Sequence, residues 1–291
     1  MLLKKLGLAT TALVALGYVA VVPSAGAAAP IYGQVNLAVG GTWQDQEDGL
    51  GNSLDDEFAG MAGGARVAVP YSSDVRIEVG VAGDSTFANE DDSDNYAGGF
   101  GANLHINWHD ASEGTLGIFG AVGRSTSVDD ESTPFFAAGF SGQYFCDQWT
   151  FFGQLGYIDS SDDPDFLHNA GFARAGAAYY ATTRLKLSAD LAYADGEQDS
   201  NDGDADLFAW GAAAEYWFGV SVPASVFVEY RGLNSETNAD VASGEGLTSH
   251  TVSLGVRFHF NGADQADSDR QFNAELPNFS RWIHEGGKSI D

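Results

Sequence analysis

The chain has 291 residues, a formal net charge of −28 at pH 7 and a single cysteine, Cys146. A balance this acidic excludes nucleic acid as a partner, because phosphate binding needs clustered Lys and Arg. One cysteine excludes an intramolecular disulfide and a cysteine-based metal site.

The N-terminus reads as a secretory signal. Lys4 and Lys5 form a basic start, Leu6 to Val22 an apolar run, and Pro23-Ser24 leads to the small residues Ala25-Gly26-Ala27. Cleavage is expected after Ala27, so residues 1–27 form a leader. Beyond it no stretch approaches the roughly 20 apolar residues that a membrane helix needs.

From Ile31 onward the dominant pattern is alternation. Ile31, Val35, Leu37 and Val39 fall on one face and Tyr32, Gln34 and Asn36 on the other. Period two is the signature of a strand with two unlike faces. Next, Met61, Ala65, Val67 and Val69 oppose Gly60, Gly64 and Arg66. After the turn residues Tyr71 to Asp74, Val75, Ile77, Val79 and Val81 oppose Arg76, Glu78 and Gly80. A charged pair alternating with four β-branched residues fits neither a buried parallel strand nor an amphipathic helix. The rest repeats the pattern: Leu104, Ile106 and Trp108 against Asn103, His105 and Asn107; Leu116, Ile118 and Val122 against Gly117 and Phe119; Phe136, Phe140 and Tyr144 against Ser141 and Gln143. Then come Trp149, Phe151 and Leu155 against Thr150 and Gln154; Ala173, Ala175 and Ala177 against Arg174; Leu185, Leu187 and Leu191 against Lys186 and Asp190. Trp210, Tyr216 and Phe218 oppose Glu215; Val226, Val228 and Tyr230 oppose Glu229 and Arg231; and Val252, Leu254, Val256, Phe258 and Phe260 oppose Ser253, Arg257 and His259.

This makes about twelve strands, each near the roughly 9–11 residues that cross a bilayer at a tilt. Short connections (71–74, 110–114, 146–148, 181–183, 219–223) alternate with long ones (44–56, 84–95, 125–133, 159–169, 195–206, 233–249). Trp43, Trp108, Tyr144, Trp149, Tyr157, Tyr179, Tyr193, Tyr216 and Tyr230 fall at or near strand ends, where aromatic girdles sit at membrane interfaces. The expected fold is all-β: an antiparallel up-and-down transmembrane β-barrel, with short periplasmic turns and long acidic extracellular loops. In lipid such a sheet must close, because an open edge leaves backbone groups unpaired. The expected division is a leader at 1–27, a barrel at 28–260 and a polar tail at 261–291, placed in the periplasm.

Over Pro30 to Phe260 the chain resembles the outer-membrane, porin-like barrels of Gram-negative bacteria. The last strand, Val252-Ser253-Leu254-Gly255-Val256-Arg257-Phe258-His259-Phe260, resembles the aromatic-ended signal by which such proteins are recognised for insertion. It departs from that pattern in being followed by about thirty more residues. The resemblance implies residence in the outer membrane, contact with its lipid and lipopolysaccharide, and delivery by the barrel-assembly machinery. It also implies passive diffusion of small hydrophilic solutes or ions. The alternative is a closed structural or adhesive barrel that displays acidic loops to cations, lipopolysaccharide or a surface. The sequence does not fix an oligomeric state.

The residues expected to line a pore are Arg66, Arg76, Glu78, His105, Arg174, Lys186, Asp190, Glu215, Glu229, Arg231 and Arg257; the alternative is that the charged members interlock as an ion-pair network that fills the lumen and rigidifies the barrel. Inward aromatics Phe145, Phe152, Tyr180, Trp217 and Phe227 would form a constriction. Carboxylates crowd the long connections, among them Asp45, Glu47, Asp48, Glu90, Asp129, Asp162 and Asp199; the readings are a negative vestibule that focuses cations, a site for Ca²⁺ or Mg²⁺, and simple solvation of the loops. No calcium-loop spacing is met, so no metal ligand or cofactor is assigned. His250 faces outward, yet Val252 offers no hydroxyl beside it, His109 lies in a turn and His168 in a loop. No nucleophile–base pair emerges, and no enzyme is expected. The tail is polar as far as Arg270, then carries Phe272, Leu276, Phe279, Trp282 and Ile283 at near-helical spacing interrupted by Pro277. Besides a periplasmic position, it could meet a partner or fold back as a plug.

Overall fold

A computed structural model describes residues 30–47, 53–88, 96–126, 132–161, 166–198, 203–238 and 245–286. Twelve strands form one closed antiparallel barrel: β1 (Tyr32–Glu47), β2 (Ser53–Pro70), β3 (Val75–Ala88), β4 (Tyr96–Asp110), β5 (Gly114–Thr126), β6 (Ser132–Cys146), β7 (Trp149–Ser160), β8 (His168–Tyr180), β9 (Leu185–Gln198), β10 (Gly203–Trp217), β11 (Ala224–Asn238) and β12 (Glu245–Phe260). Each strand pairs with its neighbours in sequence, and β12 returns to β1 through a ladder running from Gly33↔Phe260 to Glu47↔Gly246. Closure removes every sheet edge, the condition for strands to span lipid.

The observed register is the one the alternation dictates. Leu37, Leu104, Ile118, Leu155, Leu191 and Leu254 stand exposed on the outer wall, while Gln34, Glu78, His105, Gln154, Glu215 and His259 are buried inside. An exposed apolar wall around a buried polar interior inverts the order of a water-soluble protein and suits a lipid surround. Trp108, Tyr144, Trp149 and Tyr216 ring the outer wall near the short turns. Towards the other end, outward polar atoms pair among themselves. Tyr157 Oη donates to Asn169 at 2.6 Å, Tyr193 bonds Asp206, and Tyr230 Oη bonds His250 Nδ1 at 2.9 Å.

Two expectations are corrected. The strands are 12 to 18 residues long rather than about ten. They continue into what reads as loop, so Asp45, Asp56, Glu197 and Asp206 sit on strand extensions where polar residues mask the ladder. His109 and His168 likewise belong to strands, with both side chains buried. The leader and the loop carboxylates Asp48, Glu90, Asp91, Asp92, Asp94, Asp129, Asp130, Glu131, Asp162, Asp163, Asp165, Asp199 and Asp202 lie outside the described residues.

Leu104 lies on the outer wall midway between Phe100 and Trp108. Leu104→Arg should cost about 2–4 kcal/mol in a lipid bilayer. Urea titration of the barrel in phospholipid vesicles reads this directly. A change within about 0.5 kcal/mol, normal for an exposed residue in water, would refute a lipid-facing wall.

Candidate functional site

The lumen is occupied by the chain's own C-terminal segment. Beyond β12, Asn261 turns with a φ of 68° and its side chain donates to the Ile31 carbonyl at 2.6 Å, directing the chain back into the barrel. Helix α1 (Gln265–Arg270) follows, capped by the Asp264 side chain, which accepts from the Asp267 backbone N–H at 2.8 Å. An extended stretch, 271–278, then runs through the barrel to helix α2 (Phe279–Gly286). Of the positions open to the tail, in the periplasm, on a partner or folded back as a plug, its described residues 261–286 take the last and thread the lumen.

At the short-turn end, α1 is held by polar contacts. Lys186 Nζ donates to Asp269 at 2.8 Å, and His259 Nδ1 lies 2.8 Å from Ser268 Oγ. Arg270 donates to the Asp147 and Trp149 carbonyls and lies over the rings of Phe145 and Tyr180, at 5.0 and 5.5 Å. These inward aromatics are thus platforms for guanidinium groups. Phe152 serves Arg174 and Phe227 serves Arg257 in the same way.

Midway, Asn273 is the centre of the plug. Its N–H donates to Glu78 at 2.9 Å and its carbonyl accepts from Arg66 at 2.8 Å. Its amide nitrogen donates to Asn107 at 2.6 Å and Ser141 at 3.1 Å and lies 3.3 Å from His105 Nδ1, while its amide oxygen accepts from Thr115 at 2.7 Å. Around it Arg76 donates to the Gln271 carbonyl, and Gln154 and Arg174 to the carbonyls of Ala274 and Glu275. Threading an irregular backbone through a barrel requires such partners, because unpaired peptide groups would be buried there.

At the far end the chemistry changes. Pro277 sits just before the helix, and Asn278 accepts from the Arg281 N–H at 3.1 Å, so the residue expected to interrupt a helix precedes it instead. Phe279, Trp282, Ile283 and Gly286 then share one face, by i, i+3, i+4, i+7 spacing. That face packs on Phe119, Phe135, Ile158, Phe172, Leu207 and Leu233 of the inner wall, with Phe172 5.4 Å from Phe279 and 5.8 Å from Trp282 between ring centres. The backbone of β4 approaches closely at Gly99, where a side chain would collide with Ser280. The opposite face of α2 is polar: Arg281 pairs with Glu285 at 2.8 Å and donates to Thr251 and Ser249, and Gln44 donates to Glu285.

All eleven residues expected to line a pore face the interior, but as partners of the plug and of one another. Glu215 joins Lys186 and Arg257, each at 2.7 Å; Asp190 joins Arg174 at 2.9 Å and Arg231 at 2.8 Å; Arg231 also binds Glu229. Arg66 and Arg257 reach Glu275 on the plug, at 3.7 and 3.1 Å. Ser268, His259 and Glu215 lie in sequence like a nucleophile, base and acid. All three are buried, with Glu215 engaged by two cations, so the grouping acts as a clasp between wall and plug. Sequence reasoning missed Asn273, Asp269, Glu275 and the inward Phe135 and Phe172. The register placed both phenylalanines inside, where aromatic rings facing a water-filled lumen would have signalled an occupant.

The barrel and its occupied lumen can be set beside known proteins. No family profile matches the sequence, and neither does any curated protein. Among solved structures, an outer-membrane channel from Pseudomonas putida F1 matches with a TM-score of 0.53 at 14% identity, over 82% of this chain and 100% of that one. The fold is that of a Gram-negative outer-membrane β-barrel. Fainter likenesses extend to a deletion mutant of the monoaromatic hydrocarbon channel TodX (TM-score 0.49, 11% identity, 80% and 91% coverage). The translocator domain of the autotransporter NalP from Neisseria meningitidis is similar at TM-score 0.47 and 12% identity, with 79% and 88% coverage.

Asn273→Ala should loosen the plug by about 1–3 kcal/mol, the cost of leaving its buried partners unpaired. Hydrogen exchange over Ser268 to Glu285 is then expected to accelerate about tenfold or more, with the strands unchanged. Equal protection in variant and parent would show that Asn273 does not anchor the segment.

Proposed function

We propose that the protein is an outer-membrane, porin-like channel for small hydrophilic solutes or ions, held closed at rest by its own C-terminal segment. The observation that carries this reading is the way the plug fits. The apolar face of α2 packs tightly on β5 to β11, whereas small residues on the inner faces of β1 to β3, Ala38, Gly40, Ala62, Gly64, Gly80 and Ala82, border a cavity of about 380 Å³ beside the plug. A barrel built only for rigidity would gain by filling that space. The polar, extensively hydrogen-bonded inner wall is also one that water can cover when the plug moves.

In this reading the leader is removed on export and β12 is the signal for the assembly machinery. The short turns face the periplasm, and lipid and lipopolysaccharide surround the outer wall. The long ends carry exposed carboxylates such as Asp45, Asp56, Asp195 and Asp204, which favour entry of cations. The competing reading, a closed structural or adhesive barrel, draws its support from the aromatic packing of α2.

Planar-bilayer recording of the refolded full chain across a KCl gradient separates the two. The parent should show brief, infrequent steps with a reversal potential on the cation side. Asn273→Ala combined with Trp282→Ala should lengthen the open time about tenfold or more, as expected for weakening a closed state by over about 1.4 kcal/mol. Silence from both proteins, with heat-modifiable gel mobility proving an intact barrel, would establish the closed reading. A reversal potential on the anion side would overturn the cation preference alone.

A further inference from the structure

We propose that the chamber between the two ends of the plug is a binding site for an uncharged polyhydroxyl solute of about monosaccharide size. The proposal rests on the channel reading for its purpose but not for its chemistry. The chamber, about 380 Å³, lies between the Glu275–Arg281 stretch of the plug and the inner faces of β1 to β4, and extends to β8 to β12. A volume of this order is at the lower end of small-molecule sites, roughly 300–1,000 Å³.

The lining charges are for the most part already paired with one another. Four arginines and five carboxylates face the chamber. Arg174 and Arg231 are bound by Asp190 and Glu229, Arg66 stands near Glu78 and Glu275, and Arg281 is closed onto Glu285. Asp84, the remaining carboxylate, lies near His284 and Arg281. A cation or anion entering would give up its hydration against a lining of almost balanced charge, and would have to break existing pairs to recover it.

The free capacity belongs instead to neutral groups. Asn36 and Asn103 line the chamber, and their carboxamides have no hydrogen-bond partner among the described residues. Both are placed by the same device. Asn36 pairs across the ladder with Gly64, and Asn103 with Gly80. Each carboxamide lies over its glycine, where a Cβ would stand 3.0 Å from Asn36 Oδ1 and 2.7 Å from Asn103 Oδ1. Laid flat on the wall, the amides turn donor and acceptor edges towards the open space. Ser253 adds a hydroxyl, and the half-buried Leu276 and Pro277 add apolar surface. Paired amide edges beside an apolar face match the alternating hydroxyls and C–H faces of a sugar or polyol.

The test is saturation-transfer NMR on the refolded full chain in a non-glycosidic detergent, titrated with D-glucose, gluconate and glucosamine. These share a carbon count and differ in charge. Glucose should bind at least about tenfold more tightly than either charged analogue. Asn36→Leu with Asn103→Leu should weaken glucose about tenfold, the loss expected for two modest hydrogen bonds, with the barrel's gel mobility unchanged. Gluconate or glucosamine binding as well as glucose, no glucose binding, or an unaffected double variant would overturn the proposal. Because binding is read without conduction, a protein that binds glucose but stays silent in bilayers would retain the site and lose the channel reading. One that conducts but ignores glucose would do the reverse.

Discussion

Pairing of β1 with β12 is the constraint on which everything else depends. With the ring closed, no backbone group of the wall seeks a partner outside it, so each side chain must face either outwards or into the lumen. Closure also sets the width. Barrels of eight strands are filled by their own side chains and those of sixteen to eighteen hold water. Twelve strands leave a lumen that Gly and Ala on β1 to β4 cannot fill, while the ion pairs and aromatics of the opposite wall are large enough to meet something in the middle. The C-terminal segment is that something.

Its recognition is electrostatic as well as steric. Of the ten charged residues expected along the inner wall, six are cationic and four anionic. The plug supplies the missing anions: Asp269 meets Lys186, and Glu275 meets Arg66 and Arg257. Breaking such a buried set on one side leaves charges uncompensated, a far larger loss than the pairs would be worth on the surface. The result is a preference for this one threading of the tail over other ways of crowding it into the barrel.

Most of the wall was legible because its signal has period two and is redundant. Val75, Ile77, Val79 and Val81 against Arg76 and Glu78 leave one register, and a slip by one residue would put both charges in lipid. The strand extensions were harder to read. Residues such as Asp195 and Asp206 emerge from the apolar belt, so polarity marked the end of the belt rather than the end of the strand. The tail was hardest, for a physical reason: Asn273 is embedded by partners on β3, β4, β5 and β6, none of them near it in sequence. Two traces of it were nevertheless present. The inward charge set was cationic by two, and Phe119, Phe135 and Phe172 alternated towards a lumen that would otherwise be wet.

The two ends of the plug are held by different physics, and this bears on how it could yield. At the α1 end the contacts are hydrogen bonds and ion pairs to Lys186, His259 and the Asp147 carbonyl. When water enters the lumen with the motion, both partners of each contact are solvated and no charge is left uncompensated, so the net value of each is modest, about 0.5–1.5 kcal/mol for a neutral bond and somewhat more for a charged one. At the α2 end Phe279, Trp282 and Ile283 are buried against aromatic and aliphatic side chains of the wall. Water offers those surfaces nothing, and fully burying one such side chain is worth about 1.5–3 kcal/mol. The polar half of the plug can therefore exchange partners with water while the apolar half remains seated. Motion that starts at the short-turn end, with α2 acting as the anchor, breaks replaceable contacts first and leaves the aromatic seal to last.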